Sequence, residues 1–221
     1  MNAYLKVLIL IAIEILLFMK VGFWFGMIGL PIIIYKILNI FGITRRLTIF
    51  RGPFFKGTVF IKDYQGPFSK SKEAFQEASN LIRTFKLKDY ILIGIYYDKP
   101  GDVEESKLRY SVGIYRKNLD KPTDELESYC KSKGFYFAEL PDTTSLYTTW
   151  EYFNSFTMMM GITKFNLLLK QKLNDPDFKR TFRIKDNDCK VTVELYDTDS
   201  SIKFYVPLLN AEKFQLYKKD K

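Results

Sequence analysis

The stretch Val193–Leu208, VELYDTDSSIKFYVPL, reads as two strands folded about a turn. Val191–Tyr196 and Ile202–Val206 alternate apolar and polar residues with the period of a half-buried strand, and DTDSS supplies the turn between them. In the first strand Glu194 and Tyr196 share one face, while Val191, Val193 and Leu195 share the other. A lone hairpin is barely stable in water, so this one implies a larger sheet and a layer that covers it.

Upstream segments supply both. Tyr90–Tyr97 (YILIGIYY) and Leu108–Tyr115 (LRYSVGIY) read as strands joined by the loop DKPGDVEESK. Shorter strands are expected at Leu47–Phe50, Gly57–Ile61, Gly134–Leu140 and Thr144–Trp150. After the turn Gly66–Ser69, the residues Ala74, Phe75, Ala78, Leu81, Ile82 and Phe85 repeat as one face of an amphipathic helix, with Ser69 as its expected cap. Thr123 followed by an acidic first turn, with Gly134 beyond the end, predicts a short linking helix. Phe156–Leu173 predicts a second long amphipathic helix. Strand–helix–strand–strand occurs twice, which predicts an α+β domain of duplicated units, an antiparallel sheet with helices on one face.

The first 43 residues differ from everything after them. They are almost continuously apolar and carry only Lys6, Glu14, Lys20 and Lys36 as charges. About 20 helical residues cross a hydrocarbon core, so residues 1–43 are expected to be an uncleaved membrane anchor. Val7–Met19 is short and contains Glu14; Gly22–Ile43 is longer and contains Pro31 and Lys36. One span built mainly from the second run, with the first run interfacial, is expected in preference to a hairpin of two spans. Arg45, Arg46, Arg51 and Lys56 follow at once, which places the C-terminal part on the cytosolic side. Cys130 and Cys189, far apart in sequence, fit reduced thiols better than a disulfide framework. The expected organisation is an anchor over 1–43, one domain over 44–210, and a short basic tail over 211–221.

The net charge is +9, with basic and acidic residues interspersed. That pattern suits attraction to an anionic leaflet, and no nucleic-acid partner is expected. The chain has no histidine, which closes Ser-His-Asp and Cys-His catalysis and histidine-containing zinc sites. No glycine-rich phosphate loop occurs. A noncatalytic protein without metal or cofactor is expected.

Two segments resemble a known fold family. YQGPFSKSKEAF (Tyr64–Phe75) is similar to the strand-to-helix signature of gyrase-inhibitor-like (GyrI-like) domains, and Val193–Leu208 is similar to their closing hairpin. Ile93–Tyr115, with Arg109, Val112 and Gly113 as its Arg-x-x-Val-Gly strand, resembles the testis-expressed ER-phagy receptor family, membrane-anchored GyrI-like proteins. The resemblance implies a single-pass anchor in the endoplasmic reticulum, a cytosolic domain, and a role in selective autophagy of that organelle as receptor or adaptor. In that family a disordered tail bears an aromatic-x-x-aliphatic motif that adds a strand to ubiquitin-like autophagy modifiers. Here the acidic match is Phe137-Ala-Glu-Leu140, and it lies in an expected strand. Lys218 and Lys219, in the terminal KKDK, have the form of a dilysine signal read by a coat receptor.

Some GyrI-like domains bind amphipathic or cationic small molecules at an acid among aromatics. The resemblance makes Glu194 that acid, joined by Tyr196, Tyr96, Tyr97 and Tyr110. The alternative is a solvated sheet face on which Glu194 pairs with a nearby lysine.

Overall fold

The structure, a computed structural model, describes residues 3–21, 23–117, 122–185, 189, 191–197, 200–209 and 211–218. Packing divides the chain into two units: residues 49–149 with 171–221, and residues 1–48 with 150–170.

The larger unit is built on a single eight-stranded antiparallel sheet. Its strands are β1 (Phe50–Phe54), β2 (Gly57–Gln65), β3 (Tyr90–Tyr96), β4 (Arg109–Arg116), β5 (Tyr136–Leu140), β6 (Thr143–Glu151), β7 (Thr192–Tyr196) and β8 (Ser201–Pro207), and β6 runs on into the smaller unit. The order across the sheet is β1-β6-β8-β7-β3-β4-β2-β5. Outward from the central β7–β3 pair, the order is β7, β8, β6 on one side and β3, β4, β2 on the other. In chain order each triplet contributes its outer strand, then a helix, then its inner and middle strands. The sequence pattern therefore folds as an α+β sheet with a palindromic strand order.

Helix α3 (Ser71–Thr84) and helix α4 (Asp124–Ser132) cover one face. Their Ala74, Ala78, Leu81, Leu126 and Cys130 pack with Phe60, Tyr110, Val112 and Ile114 of the strands. The other face carries Val59, Ile61, Ile93, Ile95, Val193 and Leu195. It is closed by residues 211–218, from which Phe214 inserts fully and Leu216 and Tyr217 partly. Three residues of the segment read as a short basic tail, Phe214, Leu216 and Tyr217, thus pack on the core and cover apolar area that the sheet would otherwise expose.

Several local expectations need correction. The first strand lies at Phe50–Phe54, not Leu47–Phe50; it is an edge strand, and a sheet edge accepts Pro53. Ser69 is not a cap: Phe68–Lys70 forms a 3-10 turn that runs directly into α3, and Lys70 at the cap position is already helical. Helix α6 (Pro176–Phe182), capped by Asp175, was not anticipated. Thr123 does cap α4, accepting from Leu126 N at 3.3 Å. Replacing Thr123 with Ala should cost about 1 kcal/mol, measurable as a lowered unfolding midpoint.

The strand motif around Arg109 has a structural reason. Arg109 makes a two-pronged ion pair with Asp98 (2.7 and 2.8 Å), which locks the β3–β4 connection and holds the Asp98 carboxyl below its ordinary range.

The smaller unit contains α1 (Ala3–Val21), α2 (Phe23–Ile40) and most of α5 (Ser155–Leu173). It does not divide from the rest at Ile43, the boundary expected from hydropathy. Lys164 of α5 donates to the carbonyls of Gly42, Ile43 and Arg45 at 2.7–2.8 Å, satisfying groups left open beyond α2. Trp150 lies against Gly42 and Gly161, and Phe41 packs edge-on against Phe153 and Phe156. Where one spanning helix with an interfacial segment was expected, two helices pack against each other. Among the described residues, no helix is long and apolar enough to cross a membrane.

Candidate functional site

Glu194 sits at the middle of β7, paired with Gly94 of β3 on one side and Phe204 of β8 on the other. It points to the α3-covered face and is only 4 % exposed. Tyr196, two residues on, donates its hydroxyl to Glu194 Oε2 at 2.6 Å. The Tyr96 hydroxyl lies near enough to act on both the carboxyl and the Tyr196 hydroxyl. Among the described residues, no cation is one of the groups acting on this acid. Burial pushes the Glu194 carboxyl up to about 7, and the two hydroxyls only partly offset that rise. The same burial, with Glu194 beside them, holds both tyrosines protonated far above their ordinary range. They are hydrogen-bond donors here, and poor bases.

Gly94 makes the arrangement geometrically available. A Cβ at this position would meet Phe75 Cζ and Tyr96 Cε2 at 3.0 Å and the Tyr96 hydroxyl at 3.2 Å. Without one, the Tyr96 ring folds back over β3 toward the neighbouring carboxyl. An aromatic shell closes around it. Phe75 of α3 meets Tyr196 edge-on at 4.8 Å, and Phe68 meets Tyr96 at 4.9 Å and Tyr110 at 5.4 Å. Tyr110 stacks on Tyr64 at 5.6 Å. Glu194, Tyr196, Tyr96 and Tyr110 are therefore gathered on one face as their strand positions required.

Tyr97 is not part of this group. It follows Tyr96 directly, so its side chain leaves on the opposite face, where its hydroxyl pairs with Ser111 at 2.8 Å and its ring meets Tyr217. Neither is the face solvated, and among the described residues no lysine is paired with Glu194. Phe68, Phe75 and Gly94 belong to the site but were read only as turn, helix core and strand. Phe75 lay on the apolar face of its helix, yet nothing in its spacing connected it to an acid about 120 residues later.

The other sequence motifs are held by the fold. Phe137 and Leu140 lie in β5, which pairs with β2; Phe137 packs edge-on against Phe60 at 5.5 Å, and Leu140 is 1 % exposed. Lys218 donates its backbone N–H to Asp63 at 2.9 Å and places its ammonium 3.9 Å from the Tyr136 ring centre. Lys219 lies outside the described residues. Cys130 and Cys189 are both buried and are not joined in a disulfide.

No family model and no curated protein matches the chain. Solved structures do resemble it at low identity. The C-terminal domain of EcmrR is 13 % identical with a TM-score of 0.45, covering 73 % of this chain and 96 % of that one. SAV2435 bound to tetraphenylphosphonium is 9 % identical with a TM-score of 0.45, covering 75 % and 96 %. A hydrolase from Listeria innocua is 9 % identical with a TM-score of 0.44, covering 79 % and 98 %. Likenesses this distant carry neither an activity nor a ligand to this chain.

Proposed function

We propose that the sheet domain is a noncatalytic binding module of GyrI-like type for amphipathic aromatic cations. One observation carries the reading: a buried carboxyl in an aromatic shell, bonded by the Tyr196 hydroxyl with Tyr96 close by, and with no cation beside it among the described residues. Burying such a group is costly unless something repays the lost solvation. An organic cation does so by placing its charge on the carboxylate and its rings against the faces of Tyr96, Tyr196, Phe68 and Phe75. Entry requires these rings to turn outward, which exchanges their mutual contacts for contacts with the ligand. The raised carboxyl pKa is part of the device, since it makes the ligand's charge decide the state of the acid. The part in selective autophagy of the endoplasmic reticulum rests on the sequence resemblance alone, because Phe137 and Leu140 are engaged within β5.

Isosteres of opposite charge supply the test. Tetraphenylphosphonium should raise the thermal midpoint of the full chain, and tetraphenylborate, with the same shape and a negative charge, should not. Because the cation meets the ionised form, affinity should weaken about tenfold as the pH falls from 8 to 6 through the Glu194 titration near 7. Equal shifts from cation and anion would sink the proposal.

A further inference from the structure

The smaller unit carries a pattern opposite to that of a water-soluble helix pair. Leu10 of α1 shares a cavity of about 330 Å³ with Tyr35, Lys36, Asn39 and Ile40 of α2. Leu10 and Tyr35 stand 12 and 13 residues from position 22, which separates the two packed helices, so α1 and α2 run antiparallel. On α1 the stripe turned inward is Val7, Leu10 and Glu14; α2 offers Ile33. Glu14 is 7 % exposed, and neither of its carboxylate oxygens has a hydrogen-bond partner among the described residues. Meanwhile Leu8, Ile9, Ile11, Ile13, Ile15 and Leu16 are exposed, at 40–62 %, and these positions cover roughly 200° of the helix, the side opposite the inward stripe. Ile32 and Ile34 of α2 are exposed as well.

An acid turned inward and aliphatic side chains over the whole outward face is the arrangement hydrocarbon favours and water opposes. The ends of the pair agree. Toward the end away from Lys20, α1 carries the exposed Lys6 and α2 the exposed Tyr35 and Lys36, and the exposed Arg46 follows α2 in the chain, which suits an anionic headgroup layer and its aromatic belt. Each helix is roughly 27–28 Å long, just short of a ~30 Å hydrocarbon core, and α1 carries three charges.

We infer that α1 and α2 form a helical hairpin inserted into an anionic phospholipid bilayer from one side, with the N-terminus and the sheet domain on the same face. This replaces the single-span topology, in which the two ends lie on opposite faces. It stands apart from the cation-binding proposal. Lys20 near the closed end reaches a polar layer by extending its stem.

The full chain, tagged at both ends, should be translated with microsomes, extracted with alkaline carbonate, and treated with protease without detergent. The expected result is a chain in the carbonate-resistant pellet with both tags digested. A protected N-terminal tag beside a digested C-terminal tag is a single span and overturns the inference. So does release of the chain by carbonate, or a soluble dimer that hides the aliphatic surface. The double substitution Ile9→Lys with Leu16→Lys, at outward positions, should move the chain from the pellet to the supernatant. Glu14→Gln should stay in the pellet. If the double-lysine chain fractionates like the wild type, the helices do not face lipid and the inference is wrong.

Discussion

Glu194→Gln should stabilise the ligand-free protein at pH 8 and abolish its response to tetraphenylphosphonium. The carboxyl titrates near 4.5 when unfolded and near 7 when folded, because burial disfavours its charge. Between those values the folded state binds more protons than the unfolded state. Stability from this group is therefore fully present below about 4.5, declines as the pH rises, and levels off above about 7. The ionised carboxylate then costs on the order of 3 kcal/mol at pH 8. Glutamine keeps the shape and still accepts from Tyr196 and Tyr96, but it carries no charge to bury. The variant's thermal midpoint should exceed that of the wild type at pH 8, and the two should converge as the pH approaches 5. Cation affinity should drop by a hundredfold or more, since the charge that the ligand answers is gone. A variant that is less stable at every pH and still shifts with the cation would mean that Glu194 serves only packing.

The largest loss of stability is expected from Gly113→Ala. Gly113 lies at the centre of β4, opposite Ile61 of β2 and Ile93 of β3. A Cβ there would stand 1.8 Å from the Phe60 carbonyl oxygen and 2.8 Å from Ile61 Cα. Both obstacles are backbone, so relief requires β2 to separate from β4, which would open both core layers at once. The cost should reach about 4 kcal/mol or more, enough to unfold a domain of ordinary stability. Gly101→Ala is the control. Gly101 has open space around it, and its φ of +94° imposes only local backbone strain of about 1–2 kcal/mol. Near-ultraviolet circular dichroism of the two variants during thermal unfolding separates these cases. A Gly113→Ala midpoint within a few degrees of the Gly101→Ala midpoint would show that the strands do not approach so closely.

The segments with strong periodicity were legible in the chain. The alternation of Val191–Tyr196 put Glu194 and Tyr196 on one face without any knowledge of neighbours, and the hydrogen bond between them follows from that spacing. Thr123 and Gly134 marked the ends of α4 because capping is a property of a few adjacent residues. The same period of two should have separated Tyr96 from Tyr97, and grouping them in one cleft overlooked it. Residues 211–218 looked like a tail, since Phe214, Leu216 and Tyr217 lie among charges and show no regular period.

The sequence by itself determined the alternating strands, the repeated strand–helix–strand–strand order, and the presence of an acid in the closing hairpin. These follow from local periodicity, which a strand or helix imposes within a few residues. Only the tertiary structure decided that Glu194 is buried with no cation beside it among the described residues, that Gly94 leaves room for Tyr96 above it, and that Phe68 and Phe75 complete its shell. It also decided that Glu14 turns inward between two antiparallel helices. Burial is set by what lies across the sheet or across a helix seam, and those neighbours come from distant parts of the chain.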